Sequence, residues 1–453
     1  MEEKLTERLY ELYIEHPEVT TDSRRCPVGS MFFALRGESF DGNLFAAKAL
    51  EAGSAVAVVD NPDVVQEGDG RYVVVPDVLQ ALQALAAYHR QQFTKPVLQV
   101  TGTNGKTTTK ELIAATLGMK YHVLYTQGNL NNHIGVPLTL LRLRPEHEIA
   151  IIETGANHPG EIAFLTRIVQ PDYGLITNVG RAHLEGFGSF EGVKRTKGEL
   201  YDFLQQKTTA RIFVNGSSND LRDMLAERGL DISSDKCIVY GHEDISGSAL
   251  CRGAVVKCDP MLHIRWQNGD HHTHQATTQL IGDYNLDNVL AAVAVGMTFG
   301  VEAGDIVHAL ESYHPSLGRS EYRKTEHNEL IVDAYNANLT SMMAALENFR
   351  KIEQSRKMVI LGDMRELGAE SEAAHKAVVE KVYDGEWIEQ AWLVGENFEA
   401  ASKALRKPAG IEVKCFKDVE DVKEAINRAQ PQGHLILIKG SNGTKLHQLP
   451  EIL

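Results

Sequence analysis

The sequence is poor in several features that would define a functional class. Its 453 residues include five cysteines, at positions 26, 237, 251, 258 and 415, and none forms a C-x-x-C pair. This excludes a disulfide framework and a structural zinc site, and predicts reduced thiols. No apolar run approaches the roughly 20 residues of a membrane span. The start, MEEKLTERLYELY, lacks the apolar segment of a signal peptide, so we expect a cytoplasmic protein.

Basic charge is also scarce. There are 46 Lys and Arg residues against 61 Asp and Glu residues, for a formal net charge of -15. General binding to nucleic acid or to an anionic membrane is therefore not expected, because both need a basic surface. Phosphates can still bind where loops and a few cations focus positive potential.

The length predicts about three domains. Alternating strand and helix patterns predict an α/β fold with mostly parallel sheets. We expect a small N-terminal α/β domain at 1–76, a central phosphate-loop domain at 77–316, and a C-terminal Rossmann-like domain at 317–453. Residues 236–281 alternate in short β-like runs without helices, which suggests an antiparallel insertion. The third domain lacks G-x-G-x-x-G after its first strand, so nothing indicates a dinucleotide of its own.

The stretch VLQVTGTNGKTTTKELIAATL (97–117) reads as a buried strand, a glycine turn and a helix that starts on Lys-Thr. Such a turn presents backbone N–H groups and the positive helix end to a phosphate. Lys106 would reach the β- and γ-phosphates and Thr107 would ligate Mg²⁺. The longer G-x-x-x-x-G-K-[ST] pattern would need glycine where Val100 stands. The alternative is a turn that only caps a structural helix.

Further polar side chains follow predicted strands, where ligands of parallel sheets bind. Glu153 and His183 stand after two such strands, and Lys197 lies in a following helix. Taken alone, His183 could be structural and Lys197 a solvated charge. Asn285 and Asn288 share one face of a helix start, where either N-capping or ligand binding is open.

Two other groups are weaker candidates. Asp22, Ser23 and Arg24 suggest either a second anion pocket or, more simply, a solvated turn. His271, His272 and His274 suggest metal, but no second ligand set accompanies them, and we interpret them as solvated strand surface.

Ten ordered motifs resemble those of the Mur ligase family over essentially the whole chain. They are VTGTNGKTTTKEL (100–112), GNLNNHIGVPLTLL (128–141), ETGANHPGEI (153–162), ITNVGRAHLEGFGSF (176–190), TKGEL (196–200), GDYNLDN (282–288), GRSEYR (318–323), VDAYNAN (332–338), LGDMRELG (361–368) and LIKGSN (437–442). The resemblance implies an ATP-dependent amide ligase of peptidoglycan precursor synthesis. The asparagine-rich motifs resemble those of family members that join D-alanyl-D-alanine to UDP-N-acetylmuramoyl-tripeptide through an acyl phosphate. The resemblance therefore implies this reaction, and we expect a monomer.

The resemblance also implies roles for individual residues. The ATP-binding set would be Gly102, Thr103, Asn104, Gly105, Lys106, Thr107, Thr108, Asn285, Asn288, Arg319, Asp333, Tyr335 and Asn338. Two Mg²⁺ ions would be held by Thr107, Glu153, His183 and a carbamylated Lys197. The catalytic residues would be Lys106, His183 and Lys197. Ser23, Arg24, Gly42 and Asn43 would face the uridine diphosphate, Asn131 and Asn132 the muramoyl peptide, and Asp363, Glu366, Lys439 and Ser441 the incoming dipeptide.

Two positions depart from the family pattern. Leu339 replaces the proline of a YNANP-type stretch, and Asn43 stands where histidine is common. Alternative functions remain a ligase for a different amino acid, a folylpolyglutamate-type ligase, or a non-catalytic nucleotide switch. The absence of a D-N-P-R substrate motif argues against the ligases that add another amino acid. The complete set of candidate metal ligands argues against the switch.

Overall fold

A computed structural model describes residues 2–315 and 318–453, which form three β-sheets with helices packed on them. The expected boundary between residues 316 and 317 lies outside the described residues. The first part contains α1 (Glu2–Glu15), β1 (Val19–Thr20), β2 (Met31–Phe33), α2 (Ala46–Glu51), β3 (Val56–Val59), β4 (Tyr72–Val74) and α3 (Val78–Gln92). Its four strands are parallel, in the order β1-β2-β3-β4.

Helix α3 joins the first sheet to the rest of the protein. Leu82 and Leu85 of this helix share one buried cluster with Phe33 of β2 and with Ala150 and Ile152 of the next sheet. The helix begins where the side chain of Asp77 accepts a hydrogen bond from the backbone N–H of Gln80. The two sheets therefore share a continuous hydrophobic core.

The central sheet has nine strands in the order β13-β12-β11-β10-β9-β8-β5-β7-β6. Its elements are β5 (Val97–Thr101), α4 (Lys106–Gly118), β6 (Val123–Tyr125), α5 (Gly135–Leu140), β7 (Ile149–Glu153), α6 (Glu161–Val169), β8 (Tyr173–Ile176), α7 (Leu184–Phe187), α8 (Phe190–Gln206), β9 (Arg211–Asn215), α9 (Asn219–Ala226), β10 (Cys237–His242), β11 (Cys251–Cys258), β12 (Met261–Asn268), β13 (Thr273–Ile281), α10 (Leu286–Thr298) and α11 (Ala303–Ser312).

The antiparallel part of this sheet is smaller than the expected 236–281. Strand β10 is parallel to both β9 and β11, and antiparallel pairing is confined to β11–β12 and β12–β13. Helix α9 returns the chain across the sheet before β10, so β10 runs in the same direction as β9. The segment therefore extends the central sheet by four strands instead of forming a separate insertion.

The third sheet has six strands in the order β14-β15-β19-β16-β17-β18. Its elements are β14 (Glu321–Lys324), β15 (Glu329–Asp333), α12 (Leu339–Lys351), β16 (Lys357–Gly362), α13 (Ser371–Tyr383), β17 (Gln390–Val394), α14 (Glu396–Ala404), β18 (Glu412–Phe416), α15 (Val419–Ala429) and β19 (Leu435–Lys439). Five strands are parallel, and β14 is an antiparallel edge strand. Among the described residues, no helix combines the length and apolarity that a membrane span requires.

Candidate active site

The carboxyl ends of β5, β7 and β8 bring the predicted phosphate loop together with its partners. Strand β5 lies between β7 and β8, and Val100 pairs in register with Glu153. Residues 102–105 connect β5 to α4, and Gly105 at the helix start has a φ of 75°. A Cβ at Gly105 would collide with the Asn288 amide. No side chain caps α4, so its first N–H groups are free to bind an anion.

Hydrogen bonds from the segment after β8 fix the shape of this loop. The backbone N–H of Thr103 donates to the carbonyl of Asn178 at 3.0 Å, and that of Asn104 donates to Asn178 Oδ1 at 3.0 Å. Thr177 Oγ1 donates to the Asn104 carbonyl at 2.7 Å. Lys106 Nζ donates to the carbonyls of Gly102 and Thr103 at 3.0 and 2.9 Å. Burial lowers the pKa of Lys106, against the opposing effect of Glu153.

Glu153 and Thr107 form a group of oxygen atoms beside the loop. Thr107 Oγ1 donates to Glu153 Oε1 at 3.2 Å, and Asn131 Nδ2 donates to the same oxygen at 2.8 Å. Glu153 Oε2 is buried and has no hydrogen-bond partner among the described residues, and Lys110 Nζ lies 3.8 Å from it. A buried carboxylate oxygen with free lone pairs, next to a hydroxyl, fits the hard-oxygen preference of Mg²⁺.

His183 and Lys197 line the same cavity; His183 lies between β8 and α7, and Lys197 lies on α8. His183 has a φ of 52° and forms an ion pair with Glu366 of the third domain. Lys197 is 2% exposed, and within residues 2–315 and 318–453 its ammonium group donates no hydrogen bond. Burial, with Lys106 next, holds the pKa of Lys197 well below its usual range. Burial also lowers the pKa of His183, against Glu366.

The third domain contributes a second wall. The guanidinium carbon of Arg319 lies 3.9 Å from the centre of the Tyr335 ring, and Arg319 Nε is buried without a hydrogen bond. Asp333 and Lys439 end the adjacent strands β15 and β19, and Lys439 Nζ donates to Asp333 Oδ2 at 2.5 Å. The pairing of β15 with β19 therefore places Asp333, which we expected to bind ATP, beside Lys439, which we expected to face the dipeptide.

One cavity of about 810 Å³ collects most of the predicted residues. From the ATP-binding set it is lined by Gly102, Thr103, Asn104, Gly105, Lys106, Thr107, Thr108, Asn285, Asn288, Arg319, Asp333 and Tyr335. From the other sets it is lined by Glu153, His183, Lys197, Asn131, Asn132, Glu366 and Lys439. Carboxylate, amide, cationic and hydroxyl groups from two domains therefore surround one space.

The predicted asparagines are bonded to the protein in ways that the sequence did not indicate. Asn288 Nδ2 donates to Asn285 Oδ1 at 2.7 Å, and Thr109 Oγ1 of α4 donates to Asn288 Oδ1 at 2.9 Å. Asn285 makes no side-chain capping bond. The pair therefore connects α10 to the phosphate-loop helix. Asn338 does not line the cavity; it caps α12, and its Nδ2 donates to Asn104 Oδ1 at 2.8 Å.

Six predicted residues lie away from this cavity. Ser23, Arg24, Gly42 and Asn43 lie in the segments that connect strands of the first sheet, and Asp363 and Ser441 lie in loops of the third. The Asn43 amide bonds to Asp41, Asp60 and Asn61 within its own domain. Asp363 accepts hydrogen bonds from the backbone N–H groups of Asn397 and Phe398. Ser441 Oγ accepts from the backbone N–H of Arg365.

Lys110 was not among the predicted residues. It is fully buried on α4, and its Nζ donates to the Thr126 carbonyl at 2.7 Å, near Glu153 Oε2. The sequence could have indicated Lys110, because it stands four residues after Lys106 and residues four apart share a helix face. Among the other candidates, His271 and His272 are exposed, and His274 stacks on Trp266 with ring centres 4.4 Å apart.

Comparisons with known proteins agree with this geometry. Residues 17–90 match the catalytic domain of the Mur ligase family, 100–296 the Mur ligase middle domain, and 318–442 the Mur ligase glutamate ligase domain. The UDP-N-acetylmuramoyl-tripeptide–D-alanyl-D-alanine ligase of Bacillus subtilis is 34% identical over 97% of this chain and 93% of its own. The ligase of the same name from Escherichia coli is 35% identical over 96% of this chain and 93% of its own.

A solved structure also resembles this chain over most of its length. The crystal structure of MurF from Acinetobacter baumannii superposes with a TM-score of 0.82 at 31% identity, and covers 96% of this chain and 92% of its own. The similarity thus extends over all three sheets and both walls of the cavity. The chain belongs to the Mur ligase family.

Proposed function

We propose that this protein is an ATP-dependent ligase that joins D-alanyl-D-alanine to UDP-N-acetylmuramoyl-tripeptide in peptidoglycan precursor synthesis. The names of its relatives in Bacillus subtilis and Escherichia coli support this substrate pair. The observation that carries the proposal is the single cavity, in which the phosphate loop faces Arg319, Asp333 and Lys439 of the third domain. A two-walled site of this kind suits a reaction that must hold a nucleotide, an acid and an amine together.

The reaction has two bond-forming steps. A carboxylate oxygen of the tripeptide attacks the γ-phosphorus of ATP, the bond to the β-phosphate oxygen breaks, and ADP leaves with the electron pair. The amine nitrogen of the dipeptide then attacks the acyl carbon, the carbon–oxygen bond to phosphate breaks, and the nitrogen loses a proton. The loop N–H groups and Lys106 stabilise the negative charge that develops on the phosphoryl oxygens.

Two parts of the cavity fit metal binding. Thr107 and Glu153 would hold one Mg²⁺, because Glu153 Oε2 is buried without a hydrogen bond. His183 and a carbamylated Lys197 would hold a second. When bound, these ions would neutralise phosphate charge. The burial that lowers the pKa of Lys197 favours the neutral amine, which can add to CO₂ with loss of a proton to give an anionic carbamate.

The remaining assignments divide the substrates among the domains. Residues 1–76, with Ser23, Arg24, Gly42 and Asn43, would bind the uridine diphosphate end. Residues 77–316 would bind ATP and, through Asn131 and Asn132, the muramoyl peptide. Residues 317–453 would bind the dipeptide near Asp363, Glu366, Lys439 and Ser441. Asn43 and Asp363 would act by shaping their loops, since their polar atoms are hydrogen-bonded internally. We place the enzyme, as a monomer, in the cytoplasm.

A substrate panel tests the proposal. ATP turnover is measured with UDP-N-acetylmuramoyl-tripeptides that differ in the third residue, each combined with D-alanyl-D-alanine, D-alanine, L-lysine or L-glutamate. We expect ADP and amide product with the D-alanyl dipeptide and little with single amino acids. Preferential turnover with a single amino acid, or with a folate in place of the tripeptide, would reject this substrate pair.

A further inference from the structure

A side-chain hydrogen bond joins the third domain to the tip of the phosphate loop. Asn338 Nδ2 donates to Asn104 Oδ1 at 2.8 Å, across 234 positions in the chain. Asn338 is buried, and Asn104 lies between Thr103 and Gly105 of the loop. The bond therefore links two domains at the point where a phosphate would bind.

The capping geometry of α12 fixes the orientation of the Asn338 amide. Its Oδ1 accepts from the backbone N–H of Ser341 at 2.9 Å, and Ser341 Oγ accepts from the backbone N–H of Asn338 at 3.1 Å. This reciprocal pair is a capping box. Because the oxygen is used in the cap, the amide nitrogen is left to donate to Asn104.

Asn104 receives its other constraints from the central domain. Its backbone N–H donates to Asn178 Oδ1, and its carbonyl accepts from Thr177 Oγ1 and Asn178 Nδ2. Its side-chain oxygen, in contrast, is held by the third domain. Gly180 lies at the same seam, where an added Cβ would be 3.3 Å from Thr340 Oγ1 and 3.4 Å from Thr103 Cγ2. The backbone of the loop is thus set by the central sheet and the Asn104 side chain by α12.

We infer that Asn338 is a positioning residue that acts through Asn104: when the third domain packs on the central domain, their hydrogen bond holds the phosphate loop in its nucleotide-binding shape. The inference rests on the proposed ATP-dependent function. The Asn338–Asn104 bond would couple the packing of the two domains to nucleotide affinity. It forms only when the third domain packs on the central domain, so it stabilises the arrangement in which the loop binds the nucleotide. Asn338 would reach the nucleotide only through the loop.

A double-mutant cycle tests this coupling. Asn338→Ser keeps a capping oxygen for α12, since serine is a good N-cap residue, but is too short to reach Asn104. Asn104→Ala removes the acceptor. The readouts are the dissociation constant of a non-hydrolysable ATP analogue by calorimetry, KM and kcat for ATP, and Tm. We expect each single variant to weaken analogue binding by about three- to tenfold, the scale of one hydrogen bond, with Tm little changed for Asn338→Ser.

The double variant decides between coupling and two separate effects. If the inference holds, it binds the analogue no more weakly than the poorer single variant. Effects of the two substitutions that multiply, or wild-type affinity in Asn338→Ser, would overturn the inference. If wild type binds the analogue but forms no amide product, the proposed function fails, and the cycle still decides this inference.

A matched control separates coupling from loss of a helix cap. Asp418 caps α15 in the same domain, where its side chain accepts from the backbone N–H groups of Glu420 and Asp421. Asp418→Ala should lower Tm and leave analogue affinity unchanged. If it weakens binding as much as Asn338→Ser does, simple destabilisation of the third domain explains the loss and the inference is wrong.

Discussion

Three lysines lie around the phosphate loop: Lys106 is half-buried, and Lys110 and Lys197 are buried. Partial or full loss of hydration lowers the pKa of each. They differ in their partners. Lys106 bonds to loop carbonyls and Lys110 to the Thr126 carbonyl, whereas Lys197 is near the Phe187 ring, 5.7 Å from its centre. An unpaired buried amine is costly to keep charged. Lys197 is therefore the member of this group best suited to chemical modification.

Lys197→Ala should lower turnover by about 100-fold or more. The substitution removes the proposed carbamate ligand of a Mg²⁺ ion, and with it the neutralisation of charge on the phosphoryl group. Short carboxylates such as formate or acetate should restore part of the activity. Lys194→Ala is the matched control: Lys194 lies on the same helix, α8, and pairs with Asp220 at 2.8 Å. Turnover measured with and without added carboxylate checks this, and full activity in Lys197→Ala would contradict the carbamate role.

Among the elements, the strand, glycine turn and helix expected within residues 97–117 are confirmed. The strand is β5 (Val97–Thr101), and the helix is α4 (Lys106–Gly118), which starts on Lys-Thr as expected. Local periodicity and turn residues carry that information. Pairing direction and side-chain partners depend on distant residues, so the parallel pairing of β10 and the Asn288–Thr109 bond, 179 positions apart, could not be predicted.

The phosphate loop requires glycine at position 105. Gly105→Ala should destabilise the protein by about 1–2 kcal/mol and weaken nucleotide binding, because a φ of 75° strains alanine and its Cβ would displace Asn288. Gly118 ends the same helix, and an added Cβ there meets no atom within 4 Å. Gly118→Ala should leave nucleotide binding unchanged and stabilise by up to about 1 kcal/mol. Thermal unfolding measures the stability of the two variants, and calorimetry with an ATP analogue measures their nucleotide binding. Equal stability and equal affinity in the two variants would show that position 105 does not require glycine.

The loop at 363–368 depends on a neutral histidine. His375 Nε2 accepts from the backbone N–H of Met364 at 3.0 Å, so its Nδ1 carries the proton and bonds the Ser371 carbonyl at 2.7 Å. Burial lowers the pKa of His375 from its ordinary value of 6.5. The unfolded chain then binds more protons between these two values, so this part of the stability is complete above pH 6.5 and is lost as the pH falls towards the lowered pKa.

Chemical denaturation at pH 7.5, 6.5 and 5.5 measures this dependence. The unfolding free energy of wild type should fall more steeply than that of His375→Gln, with a difference of at most about 1.4 kcal/mol per pH unit. Comparison of the two removes the contribution of other histidines. If the unfolding free energies of wild type and His375→Gln change equally with pH, protonation of His375 does not contribute to the pH dependence of stability.

Across the whole molecule, the candidate active site is a cavity between the central and the third sheet regions. The phosphate loop supplies one wall, and Arg319, Asp333 and Tyr335 supply the other. Ion pairs also cross this interface, between Arg181 and Glu370 at 3.5 Å and between His183 and Glu366. The ordered motifs contain most of the residues that line this cavity, whereas the contacts between the domains arise only from packing.

Arg319→Ala should raise KM for ATP by about tenfold, because the cavity is lined by residues of both domains. Arg356→Ala is the control: Arg356 belongs to the same domain, is exposed, and pairs with Glu389 at 3.3 Å. Steady-state kinetics and small-angle scattering, each with and without an ATP analogue, test the expectation. Unchanged kinetics in Arg319→Ala would argue against assembly of the site across the two domains.

In the proposed reaction, the tripeptide carboxylate is activated by transfer of a phosphoryl group from ATP. The direct measurement uses UDP-N-acetylmuramoyl-tripeptide labelled with ¹⁸O in its terminal carboxylate, together with ATP and D-alanyl-D-alanine, and mass analysis of the released phosphate. An acyl phosphate passes one carboxylate oxygen to phosphate, so each phosphate formed should carry one ¹⁸O atom. Release of unlabelled phosphate together with amide product would show that the amide forms without an acyl phosphate.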